Sequence, residues 1–166
     1  MLQLLSVSLL PSLMIVAATG DALSLRIPNS LNQVIFLAFF PLAWLTAMPL
    51  ETIGFHFLVA GMLLGVGFLF FSANVFGGGD AKLLAAAGIW FGPSQVGPFL
   101  SQSVIAGGIL ACFILLWTRI SMSWEIHDGP YASKAARLRP QIPYGYAFAI
   151  GAILTFPKTW WMVSFG

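Results

Sequence analysis

The chain has 166 residues, of which 59% are hydrophobic and only 7% charged, with a net charge of +2 and a mean hydropathy of +0.93. A soluble domain needs about 25% charged residues to cover its surface, so seven Lys or Arg and five Asp or Glu exclude an ordinary soluble enzyme. They also exclude a nucleic-acid binder, which presents a basic face, and a lone cysteine, Cys112, excludes an internal disulfide or a multi-cysteine zinc site.

A bilayer-crossing helix takes about 20 apolar residues, and polar or Pro/Gly punctuation divides the chain into six such runs. The first, 2–19, ends at Gly20-Asp21. The second, 31–48, follows Ile27-Pro28-Asn29 and stops near Pro49-Leu50-Glu51. The third, 53–75, leads into Gly77-Gly78-Gly79-Asp80. A shorter fourth, 83–96, is carried through Gly92-Pro93, and the fifth covers 99–117. The longest polar stretch, 119–141, precedes the sixth, 142–156. The expected fold is all-α: a polytopic integral membrane protein of about six transmembrane helices, forming one domain over 1–166. The 17 glycines and 10 prolines suit it, since both are more frequent in transmembrane helices than in soluble ones. Cys112, flanked by apolar residues, reads as a small buried packing residue.

With six spans, Arg26, Lys82, Arg119, Lys134, Arg137 and Arg139 share one side and Lys158 alone takes the other. Basic residues concentrate on the cytoplasmic side, which puts that face in the cytoplasm and both termini outside. Trp160 and Trp161 beside Lys158, and Trp117 and Trp124 near Arg119, suit the aromatic belts at the two interfaces.

An ionisable group at membrane depth is a functional candidate by default. Asp21 ends the first helix and Asp80 follows the third, so the predicted topology sets both at one depth on the cytoplasmic side. Two carboxylates in a poorly hydrated site share a proton. One can then act as general base on water while its protonated partner binds a carbonyl. Gly77, Gly78 and Gly79 permit close backbone approach beside Asp80, where an extended substrate could lie. Alternatively, each aspartate simply ends a helix at the headgroups, and the triple glycine is a turn.

Other polar residues admit plainer readings. Lys82 and Arg26 either serve the aspartate pair or anchor the cytoplasmic edge. Asn29 is expected to cap the second helix in preference to meeting substrate. Glu51 and His56 belong near the opposite face and read as interfacial. His127 and Asp128 read as a solvated pair in the long loop.

Three ordered blocks resemble the type IV prepilin peptidase family. Gly77-Gly78-Gly79-Asp80 with Ala81-Lys82-Leu83-Leu84 looks like its Gly-x-Gly-Asp block. Asp21 followed by Arg26-Ile27-Pro28-Asn29 looks like its other aspartate block, and Ile142-Pro143-Tyr144-Gly145 is similar to a segment of its short members. The resemblance implies that Asp21 and Asp80 are the catalytic aspartates of a membrane aspartyl endopeptidase needing no metal or other cofactor. Its substrate would be the leader of a prepilin or pseudopilin, cut at the cytoplasmic face of the bacterial inner membrane, with pilus or secretion machinery as possible partners. Larger members add a methyltransferase-type region with paired zinc-binding cysteines; this chain has neither, so it resembles the short form of tight-adherence (Flp-type) pilus systems. Presenilin-like proteases share Gly-x-Gly-Asp, but their Pro-Ala-Leu segment is missing. An alternative of another class is a small proton- or cation-coupled transporter using the same aspartates. Against it stand the apolar character of helices two, four, five and six and the lack of an inverted repeat. A structural subunit of a secretion machine would explain the membrane embedding but not the aspartate blocks.

Overall fold

A computed structural model describes residues 2–24, 26–75, 77–125 and 144–163. Every regular element among them is a helix. Helix α1 (Leu2–Ser24) continues past Gly20, so Asp21 lies inside its last turns and not beyond its end. Helix α2 (Asn29–Leu45) starts directly after Pro28 and α3 (Leu50–Ser72) directly after Pro49. Both prolines hold φ near −60°, at −59° and −58°, and lack the N–H that a helix start leaves unused.

Helices α2 and α3 stop about three residues earlier than their apolar runs, at 45 and 72 instead of 48 and 75. Both end in the same turn. The N–H of Met48 donates to Ala43 O and that of Val75 to Phe70 O, each at 2.9 Å, with Ala47 and Asn74 left-handed at φ 50° and 56°. This is the Schellman arrangement that satisfies the last carbonyls of a helix. Hydropathy cannot reveal it, because Ala47 and Val75 read as continuing helix.

The fourth expected helix, 83–96, is corrected by the structure. Helix α4 runs over Gly78–Gly88; residues 89–91 then turn, with Trp90 N–H on Ala87 O and Phe91 N–H on Gly88 O. Pro93 disfavours helical geometry in the residue before it, and Gly92 takes φ +58°. A Cβ there would also strike the His56 ring. Gly92 therefore opens α5 (Gly92–Glu125), which absorbs the end of the fourth run and extends beyond 117. After it come α6 (Tyr144–Thr155), a single 3-10 turn (Phe156–Lys158) and α7 (Trp160–Val163). Most of the polar stretch, 126–143, including His127, Asp128, Lys134, Arg137 and Arg139, lies outside the described residues.

Among the described residues two helices are long and apolar enough to cross a membrane: α3, and α5 over Gly92–Ile120, each with mean hydropathy 2.1 in its most apolar window. Those windows are only 28% and 17% buried, which is the reverse of a soluble core helix. Leu58, Met62 and Phe68 on α3, and Val104, Ile109 and Phe113 on α5, face outward. Patches of that size need an apolar surrounding. Cys112 belongs to this outer surface and is exposed, not a packing residue. Helix α4, by contrast, spans about 16 Å at 1.5 Å per residue and is buried at Ala81 and from Leu83 to Gly88. It is an internal rod, too short for a bilayer of about 30 Å.

Small residues set the packing around that rod. A Cβ on Gly67 of α3 would meet Ala81 of α4 at 3.0 Å, and one on Gly151 of α6 would enter Ser103 of α5. Close backbone approach of this kind drives helix association in lipid. At the end where α3 begins, Phe39, His56, Trp90 and Trp161 form a buried aromatic knot. Trp90 Nε1 donates to Ile35 O at 3.0 Å and Trp161 Nε1 to Trp90 O at 2.9 Å, while His56 Nδ1 bonds Ile89 O. His56 and Trp161 thus hold the fold together from inside and are not interfacial; Trp117 and Trp160 are exposed.

Candidate functional site

The opposite end of the bundle gathers the end of α1, the segment 26–28, and the starts of α4 and α6. Gly79 makes this possible. A Cβ at Gly79 would lie 3.2 Å from Ile27 Cβ and from Ile27 O, so a side chain there would push 26–28 off the start of α4 by a few tenths of an ångström. Asn32 fastens the same junction from α2, its Nδ2 donating to Gly79 O at 3.2 Å. Replacing Asn32 with Ala removes that tie between α2 and α4, a loss of about 0.5–1.5 kcal/mol. Thermal unfolding of the purified variant in detergent is expected to show the drop; an unchanged transition would mean the junction does not depend on Asn32.

Asp80 stands in the first turn of α4, where a helix favours negative charge. Its Oδ2 accepts the Gly77 N–H at 3.0 Å. A Cβ on Gly77 would crowd that oxygen at 2.9 Å. Oδ1 is buried and accepts from no donor among the described residues. Gly78 differs from its neighbours: an added Cβ would make only ordinary contact with Phe71, at 3.5 Å. Packing thus favours glycine at 77 and 79 but leaves Gly78 free.

Asp21 is only 4% exposed. Its Oδ2 accepts the Gly145 N–H at 2.8 Å from the first turn of α6. Each aspartate therefore takes one backbone N–H at a helix start, Asp80 from α4 and Asp21 from α6. A Cβ at Gly145 would come within 2.9 Å of Asp21 Cβ and Oδ2, so the two helices meet there only through glycine. The carboxylates are near enough for the charge of Asp21 to act on Asp80. Burial first and Asp21 second push Asp80 up to about 6, against the lowering effect of the Gly77 N–H.

Lys82 is exposed, and its Nζ donates to Asn29 Oδ1 at 2.9 Å, not to an aspartate. Asn29 is correspondingly not the cap of α2: Pro28 occupies that position, and no side chain caps the helix. Arg26 is exposed in the segment linking α1 to α2. Glu51 begins α3 at the far end, with His56 in the aromatic knot. Among the described residues no group of three or more His, Cys, Asp or Glu could hold a metal ion.

Sequence reasoning singled out neither Asn32 nor the contact of Gly145 with Asp21. Asn32 carried one signal, a polar side chain three residues after Asn29 within an apolar helix. Gly145 carried only its place in the Ile-Pro-Tyr-Gly segment.

A groove of about 670 Å³ lies between α2, α3 and α4, and neither aspartate lines it. Residues 8–118, which hold both aspartates and the glycine-rich start of α4, match the model of the type IV leader peptidase family. Comparison with curated proteins and with solved structures finds no match.

Proposed function

The chain belongs to the type IV leader peptidase family, and from that premise we propose a membrane aspartyl endopeptidase with Asp21 and Asp80 as its catalytic pair. It removes the leader of type IV, Flp-like prepilins or pseudopilins at the cytoplasmic face of the bacterial inner membrane, without N-methyltransferase activity. One observation carries the reading. Two acidic residues far apart in sequence share one end of the bundle, each held by a helix-start N–H, and Asp80 keeps one oxygen uncommitted.

The chemistry follows from a pair holding a single proton. The ionised carboxylate takes a proton from water, whose oxygen attacks the scissile carbonyl carbon, while the protonated partner hydrogen-bonds the carbonyl oxygen. The tetrahedral intermediate collapses, the C–N bond breaks, and a carboxyl proton passes to the departing amine. Lys82 and Asn29 brace α4 against α2 behind this pair. Arg26, exposed in the segment that rests on the start of α4, can meet a substrate carbonyl. Gly77 and Gly79 fix the start of α4, and Gly78 keeps it low for substrate to approach.

Co-expression with a prepilin, following leader loss on a gel, tests the assignment directly; a prepilin that stays uncut in the presence of the wild-type protein refutes it. Topology reporters at Glu51 and within 132–139 should land on opposite sides of the membrane, because Glu51 opens α3 at the end away from the aspartates whereas α6 begins beside Asp21.

The pair also predicts a titration. The Asp80 carboxyl should protonate with a midpoint near 6, read from its carboxyl infrared band. Removing the neighbouring charge with Asp21→Asn eases ionisation and lowers the midpoint. Because the folded value lies above the ordinary 3.8, the stabilising contribution of Asp80 is complete below pH 3.8 and is lost as pH rises through about 6. A midpoint unmoved by Asp21→Asn would separate the two carboxylates.

A further inference from the structure

On the side of α4 away from Asp80 lies the groove of about 670 Å³, bounded by α2, α3 and α4. Its α4 wall is Lys82, Ala85 and Ala86. These lie two, five and six residues beyond Asp80, which at about 100° per residue is the opposite face of the helix. The floor is small, with Ala60, Gly61, Ala85 and Ala86, while Phe36 and Phe57 belong to the flanking helices. The polar lining is Asn29, Asn32, Gln33 and Lys82, with Asn32 bonded to Gly79 and Lys82 to Asn29.

We propose that this groove seats the apolar helix of the prepilin substrate, with Asn32 Oδ1 accepting a backbone N–H where that helix gives way to the leader. The proposal rests on the leader-peptidase reading and names the site that reading leaves open. Asn32 is 5% exposed and lines the groove, yet its Oδ1 has no partner among the described residues. An unmatched buried acceptor calls for a donor. A lipid acyl chain has none, whereas the first turn of a helix leaves its N–H groups free. The small floor admits a helix backbone closely, as helix pairs in lipid require. Past the polar end, the leader crosses the start of α4 to reach Asp21 and Asp80. Gly78, the glycine that packing does not require, lies on that crossing.

Gly61 offers the test, because a Cβ added there meets nothing within 4 Å and a larger side chain fills the groove without disturbing the fold. In a Cys112→Ser, Asp80→Asn background, Gly61→Cys should form a disulfide on mild oxidation with single cysteines placed along the apolar segment of a co-expressed prepilin. Gly108→Cys, on α5 and equally free of neighbours, should form none. With Asp80 intact, Gly61→Leu should lower kcat/KM for the membrane-embedded prepilin by at least about tenfold. No adduct at any substrate position, equal adducts at both cysteines, or undiminished cleavage by Gly61→Leu would each overturn the proposal. A groove filled by lipid gives the first of these. If the wild-type protein cuts the prepilin while Gly61 stays unlabelled, the groove alone is refuted; if the wild-type protein cuts nothing, the peptidase reading falls with it.

Discussion

Asp21→Asn and Asp80→Asn should each abolish leader removal while leaving membrane insertion intact. General acid–base catalysis by one positioned group contributes about 10²–10⁴-fold, and the proposed mechanism needs one carboxylate as base and its protonated partner as acid. Loss of either carboxylate should therefore remove at least about 10³-fold of the rate, and the double variant should be no slower than either single one, because groups acting as a unit are not additive. Asparagine keeps the shape and leaves Oδ1 to accept the N–H of Gly77 or Gly145, so loss of cleavage would report chemistry and not collapse of the site. The measurement is the fraction of prepilin retaining its leader after expression with each variant. Processing undiminished in both would remove the aspartates from the reaction.

That the two acids end up together was legible in the sequence, for a simple reason. Alternating spans place the end of the first helix and the start after the third on the same side, and the structure brings both to one end of the bundle. The means of joining them was hidden. Close approach of 26–28 to Gly79 and of α6 to Asp21 depends on glycines whose neighbours are distant in the chain, and apolar periodicity carries no sign of that. Helix four failed for the opposite reason. Its alanines and leucines look the same to a hydropathy reading whether they face lipid or other helices. Only the 11-residue length and burial of α4 distinguish an internal rod from a span. His56 and Trp161 show the same limit: a polar or amphipathic residue near an apolar run reads as interfacial, whereas a carbonyl facing it from another helix lets it be buried.

Gly145→Ala should cost about 10²-fold in rate, although it removes no functional group. The new Cβ would sit 2.9 Å from both Asp21 Cβ and Oδ2, closer than unbonded carbon and oxygen atoms settle. Either α6 moves off α1 or the Asp21 carboxylate rotates away. Both outcomes break the 2.8 Å bond from the Gly145 N–H, and a hydrogen bond to a charged group is worth about 1.5–3 kcal/mol. A shift of about 1 Å in a reacting group can alone cost about 10²-fold, so kcat for leader cleavage should fall by that order with KM little changed. Gly20 supplies the contrast. It adjoins Asp21 in sequence, but a Cβ there meets nothing within 4 Å, and Ala favours a helix over Gly by about 1 kcal/mol. Gly20→Ala should cleave at the wild-type rate and unfold at a slightly higher temperature. Full activity in Gly145→Ala would show that α6 does not hold Asp21 in place. Loss of activity in Gly145→Ala with none in Gly20→Ala would tie the carboxylate to a helix that begins more than a hundred residues after it.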